Sequence, residues 1–316
     1  MRVKEPWPKY LGLGENEWKE RIDKAWAMLS SCRLCPRECG ADRLAGETGI
    51  CCAGRVAEVS SYNDHHGEEP PLSGCRGSGT IFFTHCNLRC VFCQNYPISH
   101  LGHGEPASAE RLSDMMIKLM RRGCHNINFV TPTHMLPFIL DALPIAIRKG
   151  LNVPIVYNCG GYETLESLKL LDGVVDIYLP DMKYNDNKVA DMLSKTPDYV
   201  EHNRAAIKEM HRQVGDLAID EEGIALRGLI VRHLVLPEGM AGSEGVLEFL
   251  AREVSINTAI SLMSQYFPAY KALDFREISR RPRPEEYREA AKVMKKLGLG
   301  QGWVQDKWYI AVEEDD

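Results

Sequence analysis

Apolar positions along the chain recur in two alternating textures. Trp18, Ile22, Ala25, Trp26 and Leu29 fall at helical spacing and predict a helix over 16–30. Residues 31–78 are rich in Cys, Gly, Pro, Arg and Glu and carry little periodicity, so this stretch reads as loop. After Gly79 short apolar runs alternate with helical patterns. Strands are predicted over 80–84, 126–130, 153–157, 174–179, 226–236 and 256–263. Helices are predicted over 109–122, 136–149, 165–171, 198–214, 245–253 and 284–297, with Ser108 as an N-cap and Gly123 and Gly150 just past two helix ends. Strands separated by helices at this spacing form βα units and a parallel sheet with right-handed crossovers. Six such units predict an α/β fold, a partial (β/α)6 TIM-like barrel, whose ligands sit at the C-terminal strand ends. The expected organisation is a helix and Cys-rich metal-binding module over 1–74, followed by the barrel over 75–316. Residues 303–310 alternate apolar and polar and suggest an added edge strand.

Composition narrows the setting. With 316 residues, 44% apolar and 26% charged, the chain has the balance of a soluble globular protein. A net charge of −6 gives no reason to expect nucleic-acid binding. The N-terminus shows no apolar signal-peptide core, and no stretch approaches the ~20 apolar residues of a membrane span. The expectation is a cytoplasmic protein with no membrane partner. Eleven cysteines, an odd number without an export signal, argue for metal binding over a disulfide framework. Eight of them fall within 32–52 and 86–93.

The sharpest feature is Cys86, Cys90 and Cys93, spaced Cys-x3-Cys-x2-Cys directly after the first barrel strand. Three thiolates can hold three irons of a [4Fe–4S] cube and leave the fourth iron open. A zinc knuckle completed by His85 or His100 is the competing reading of the same residues.

The segment from Thr84 to Asn95, with Phe92 before the third cysteine, resembles the signature of the radical S-adenosylmethionine superfamily. That resemblance implies a [4Fe–4S] cluster whose open iron binds S-adenosylmethionine. Reductive cleavage then yields a 5′-deoxyadenosyl radical that abstracts hydrogen. More of the chain, from about Cys32 to Tyr270, is similar to pyruvate formate-lyase activating enzyme-like homologues with a cysteine-rich N-terminus. The stretches that carry this are 67–72, 77–83, 157–163, 178–184 and 232–237, which fall close to predicted strands, most of them at or after a strand end. The resemblance implies that Phe92, Asn95, Asn158, Arg232 and His233 bind the cofactor, and Thr131 and Thr133 are added as candidates from the segment that departs from it. It places Asp181 and Lys183, an Asp-x-Lys pair, with the cysteines as catalytic. A surface or packing role is the alternative for each of these residues. One departure stands out: the Gly-Gly-Glu-type motif of most members is replaced by Thr131-Pro132-Thr133-His134. Backbone carbonyls and threonine hydroxyls are the candidates to take over its contact with the cofactor's amino group.

Cys32, Cys35, Cys39 and Cys51 form a second set, which suggests a structural zinc or an auxiliary iron–sulfur cluster. Cys75 is a candidate to join either site. Residues 64–69, with Asp64, His65, His66, Glu68 and Glu69, read as a solvated loop, with a metal-binding cluster as the alternative. The leading function is a radical S-adenosylmethionine enzyme that abstracts hydrogen from a glycyl radical enzyme, reduced by a flavodoxin or ferredoxin. The rivals are the same chemistry on a small molecule or another macromolecule, and a non-catalytic iron–sulfur or zinc protein of electron transfer.

Overall fold

The computed structural model describes residues 7–304. The strands are β1 (Ala57–His65), β2 (Ser78–Phe83), β3 (Glu105–Ala107), β4 (Ile127–Val130), β5 (Ile155–Cys159), β6 (Ile177–Pro180), β7 (Ala218–Ile219), β8 (Ala225–Leu234), β9 (Ala259–Met263) and β10 (Gly302–Val304). The helices are α1 (Glu15–Ala27), α2 (Pro70–Ser73), α3 (Tyr96–Ser99), α4 (Ala109–Arg121), α5 (Leu136–Arg148), α6 (Leu165–Leu170), α7 (Asn187–Ser194), α8 (Tyr199–Val214), α9 (Ser243–Phe249) and α10 (Pro284–Lys296).

β2, β4, β5, β6, β8 and β9 pair in parallel in that order, each pair joined through helical crossovers. This is the partial (β/α)6 barrel that the βα alternation predicts. β10 adds in parallel beside β9, where the edge strand was expected; the rest of 303–310 lies outside the described residues apart from Trp303 and Val304. At the other edge β1 runs antiparallel to β2, and β3 antiparallel to β1. No strand was expected over 57–65. The segment carries few large apolar residues, because only alternate positions near its start are buried.

Alternate residues of the parallel strands face two different cores. Ile81, Phe83, Ile127, Phe129, Tyr157, Leu229 and Val231 pack under the helices. Val156, Ile177, Leu179, Ile230 and Ala259 face inward and gather around Leu72 from α2. The segment leading from the end of β1 to β2 therefore divides: Asp64, His66 and Gly67 are exposed as a solvated loop would be, while the stretch from Glu68 to Ser73 turns into the barrel interior. Glu68 and Glu69 are nearly buried there. None of the described helices is long and apolar enough to cross a membrane.

Candidate active site

The C-terminal end of β2 opens into the loop that carries the three motif cysteines. His85, at φ 65°, turns the chain out of the strand in the left-handed region, a conformation rarely adopted by non-glycine residues. Its ring lies 2.9 Å from Glu58 of β1, which also accepts from the Thr84 hydroxyl at 3.1 Å. Thr131 at φ 59° makes the same kind of turn after β4. Its N–H donates to the carbonyl of Asn158 at 2.8 Å.

Cys90 is buried, and Cys86 and Cys93 are half-buried; all are free thiols. Each has a hydrogen-bonding neighbour, and Cys86 Sγ also lies 3.9 Å from Asn87 Oδ1. Leu88 N–H lies 3.3 Å from Cys86 Sγ, the Ser194 hydroxyl 2.9 Å from Cys90 Sγ, and Ser99 Oγ 3.0 Å from Cys93 Sγ. Burial raises the Cys90 thiol pKa, and the nearby Lys183 ammonium opposes that rise. Three soft donors on one loop, each hydrogen-bonded and with a cation beside them, fit thiolate ligation of an iron–sulfur cluster. Among the described residues no three His, Cys, Asp or Glu side chains gather as one metal ion requires. A cube does not require that, since each thiolate takes a different iron. Phe92 is buried edge-on against Tyr266, with ring centroids 5.7 Å apart. Asn95 caps α3 and is exposed, with its carbonyl accepting from Ile98 and Ser99.

Asp181 and Lys183 follow β6 and form a 2.5 Å ion pair. Burial disfavours the lysine's charge, but Asp181 and Cys90 outweigh it and hold its pKa above the ordinary value. The turn is braced by Tyr199 of α8, whose hydroxyl accepts from Lys183 N–H and lies 2.9 Å from the Gly160 carbonyl and 3.1 Å from that of Asp181. Asn158, the penultimate residue of β5, lies on the inward face in line with Val156 and is mostly buried.

Two expected ligand contacts are already occupied by protein. Arg232 forks onto Glu69 at 2.7 and 2.9 Å and also donates to Glu68. His233, on the opposite face of β8, has one ring nitrogen 2.6 Å from the Met182 carbonyl and the other 2.8 Å from Ser243 Oγ. That leaves neither nitrogen for a ligand and favours the packing role. The Thr133 hydroxyl donates to Glu163 at 2.6 Å, so its proton is not offered to a ligand. Glu163 is fully buried and also accepts from Tyr157 at 3.2 Å. Burial pushes its pKa up to about 7, against those two hydrogen bonds. His134 is buried with Nε2 2.8 Å from the Thr84 carbonyl, and burial lowers its pKa to about 3.

Cys32, Cys35 and Cys51 are buried and Cys39 is half-buried. Burial raises the Cys35 thiol pKa, and the charges of Cys51 and Cys32 add to that rise, but, among the described residues, no three of the four thiols gather as a single metal ion requires. Their loop grips the barrel mouth. The buried Arg43 donates to the carbonyls of Gly54 and His134, and Arg37 donates to those of Asn87, Ser194 and Lys195. Cys75 is exposed and precedes β2, about 20 Å of strand away from the motif that follows it, so it cannot join that set. A cavity of about 240 Å³ lined by Trp7, Val175, Asp176 and Leu226 lies at the opposite strand ends and holds none of these residues.

Residues 80–219 match the radical SAM superfamily, a stretch that begins in β2 and includes the cysteine loop, Asn158 and the Asp181–Lys183 pair. The chain carries a radical SAM superfamily domain over 80–219. It is 34% identical over 292 residues to Uncharacterized protein MJ0674 of Methanocaldococcus jannaschii, covering 88% of this chain and 78% of that one. Among solved structures, the FeFe-hydrogenase maturase HydG from Carboxydothermus hydrogenoformans superposes with a TM-score of 0.50 at 13% identity. That match covers 70% of this chain and 51% of HydG, about half its length, and it bears on the fold alone. A second HydG structure matches equally, with a TM-score of 0.50 over 71% of this chain. A radical SAM domain implies an enzyme with a [4Fe–4S] cluster and S-adenosylmethionine.

Ser194, Tyr184, Ser99, Arg37 and Glu163 escaped sequence reasoning as site residues. Ser194 and Arg37 reach the cysteine loop across 104 and 50 residues, and no local pattern signals such a contact. Ser99 was within reach of sequence reasoning, since a hydroxyl six residues beyond Cys93 lies in the same loop.

Proposed function

We propose that this radical SAM enzyme binds its cluster through Cys86, Cys90 and Cys93 and abstracts hydrogen from a protein partner, as a glycyl radical activase does. The observation that carries the ligation is the set of three free thiols at the end of the first barrel strand, each hydrogen-bonded and with Lys183 beside Cys90. When bound, the cluster supplies the electron that cleaves S-adenosylmethionine to methionine and a 5′-deoxyadenosyl radical. The side chains have distinct tasks around it. Lys183 offsets the negative charge of the thiolates, and Asp181 holds Lys183 in place. Thr131 and Asn158 join the ends of β4 and β5 where the cofactor would lie. Arg232, gripped by Glu68 and Glu69, forms the floor beneath it. The protein substrate rests on the activase-like resemblance, and a flavodoxin or ferredoxin reductant in the cytoplasm accompanies that reading.

A second thiolate-bound metal at Cys32, Cys35, Cys39 and Cys51 belongs to the same proposal, supported by four cysteines on one loop whose charges act on one another. Metal analysis of a variant lacking Cys86, Cys90 and Cys93 tests it. Residual zinc or iron supports the second site, and none argues against it. For the activity, the reconstituted, reduced protein is incubated with S-adenosylmethionine, with and without a glycyl radical enzyme. Release of 5′-deoxyadenosine together with a glycyl radical signal supports the full reading. Release without that signal removes the activase assignment, and no release removes the cleavage itself.

A further inference from the structure

Of the hydrogen-bonding contacts to the motif thiols, one comes from a distant element. Ser194, the last residue of α7, donates its hydroxyl to Cys90 Sγ at 2.9 Å across 104 residues. The backbone keeps it there. Val91 N–H donates to the Leu193 carbonyl at 2.8 Å and Arg89 N–H to the Ser194 carbonyl at 3.3 Å. Arg37 Nη2 donates to that same Ser194 carbonyl at 3.0 Å. The helix then stops, because Lys195 takes a left-handed conformation at φ 58°.

Behind Ser194 stands Tyr184, with its hydroxyl 2.6 Å from Ser194 Oγ. A serine hydroxyl carries a single proton. Since that proton goes to Cys90, the phenol is the donor to Ser194. The result is a directed chain from Tyr184 through Ser194 to the sulfur. Tyr184 is 1% exposed and Ser194 0%, so water competes for neither bond. In such surroundings one hydrogen bond polarises the next.

We infer that Ser194, polarised by Tyr184, is a positioning residue that sets the reduction potential of the cluster through its hydrogen bond to Cys90. This rests on the cluster ligation proposed above. One-electron reduction by an external donor adds negative charge that is shared with the thiolate sulfurs. A donor aimed at a sulfur stabilises that charge and raises the potential. Removing the donor makes the cluster harder to reduce.

The test compares wild type, Ser194→Ala, Ser194→Thr and Tyr184→Phe after anaerobic reconstitution, with iron counted before each redox titration. Reduction is followed by visible absorbance and by the paramagnetic signal of the reduced cluster. Ser194→Ala should keep its iron and show an about tenfold lower ratio of reduced to oxidised cluster at fixed potential, about 59 mV downward for one electron. Tyr184→Phe should shift in the same direction by less, and Ser194→Thr, which keeps the hydroxyl, should return to wild type. An unchanged potential in an iron-replete Ser194→Ala overturns the inference. Should Ser194→Ala lose its iron, Tyr184→Phe decides: a downward shift supports the inference and no shift overturns it. A wild type that holds no cluster is a separate result, and it counts against the ligation.

Discussion

Arg37 donates through Nε to the carbonyl of Asn87 at 3.0 Å, joining the N-terminal cysteine segment to the loop that carries Cys86, Cys90 and Cys93. Its other nitrogens reach the Ser194 and Lys195 carbonyls, so one guanidinium fastens the cysteine loop and the end of α7 together. Hydrogen bonds from a charged donor contribute about 1.5–3 kcal/mol each, less where water competes. Arg37→Ala should lower stability by about 2 kcal/mol and speed iron loss to a chelator. Chelation kinetics on reconstituted protein check this, and a rate equal to wild type contradicts it.

The Arg232 fork carries a second prediction. Arg232 and its two carboxylates are largely buried, with side-chain exposures of 19% and 5%. Removing one partner of such a pair leaves a charge without compensation and costs about 3–5 kcal/mol. Glu69→Ala should therefore lower the melting temperature far more than Glu201→Ala, an exposed carboxylate on α8. Glu69→Gln, which keeps an acceptor, should fall between them. Equal melting temperatures for Glu69→Ala and wild type would show the fork to be dispensable.

Glu163 gives a pH dependence. Its folded pKa is raised from 4.5 to about 7, first by burial, so folding favours the protonated form. The stability this contributes is complete below pH 4.5 and is lost as pH rises through about 7. At 1.36 kcal/mol per unit the loss is about 3 kcal/mol. Glu163→Gln cannot ionise, so its denaturation midpoint should change less than that of wild type between pH 5 and pH 8. Parallel profiles for the two proteins would assign the change to other groups.

Gly161 offers a steric test of the mouth. It sits at φ 71°, and a Cβ there would lie 2.2 Å from both the Asp181 carbonyl oxygen and Asn203 Nδ2. Asn203 donates to the Gly161 and Asp181 carbonyls at 3.0 and 2.9 Å, joining the turns after β5 and β6. Gly161→Ala should push the Asp181–Lys183 turn outward, lowering stability and reducing S-adenosylmethionine affinity by at least tenfold. Calorimetric titration of the folded variant measures the affinity, and wild-type binding would contradict the placement.

Much of this was legible in the chain. The six parallel strands repeat apolar runs bounded by helices, and Ser108 caps α4 by accepting from Arg111 N–H as its position predicts. The Cys86–Cys93 spacing is local, so it survives in sequence. What was hidden depends on distance or on short elements. β1 shows only a weak pattern because one of its faces is partly exposed. α7 has eight residues and ends on Lys195 in place of a glycine, so neither its length nor its stop signal stands out. Glu68 and Glu69 look like loop carboxylates until the barrel closes around Leu72 and brings Arg232 to them from 163 residues away.

Iron content decides the central claim most directly. Wild type and a Cys86/Cys90/Cys93→Ala triple variant are reconstituted anaerobically, desalted, and analysed for iron and zinc. The prediction is about four more irons per chain in wild type than in the variant, the content of one cube. Equal iron in the two proteins, with zinc alone in both, would contradict cluster binding by these cysteines.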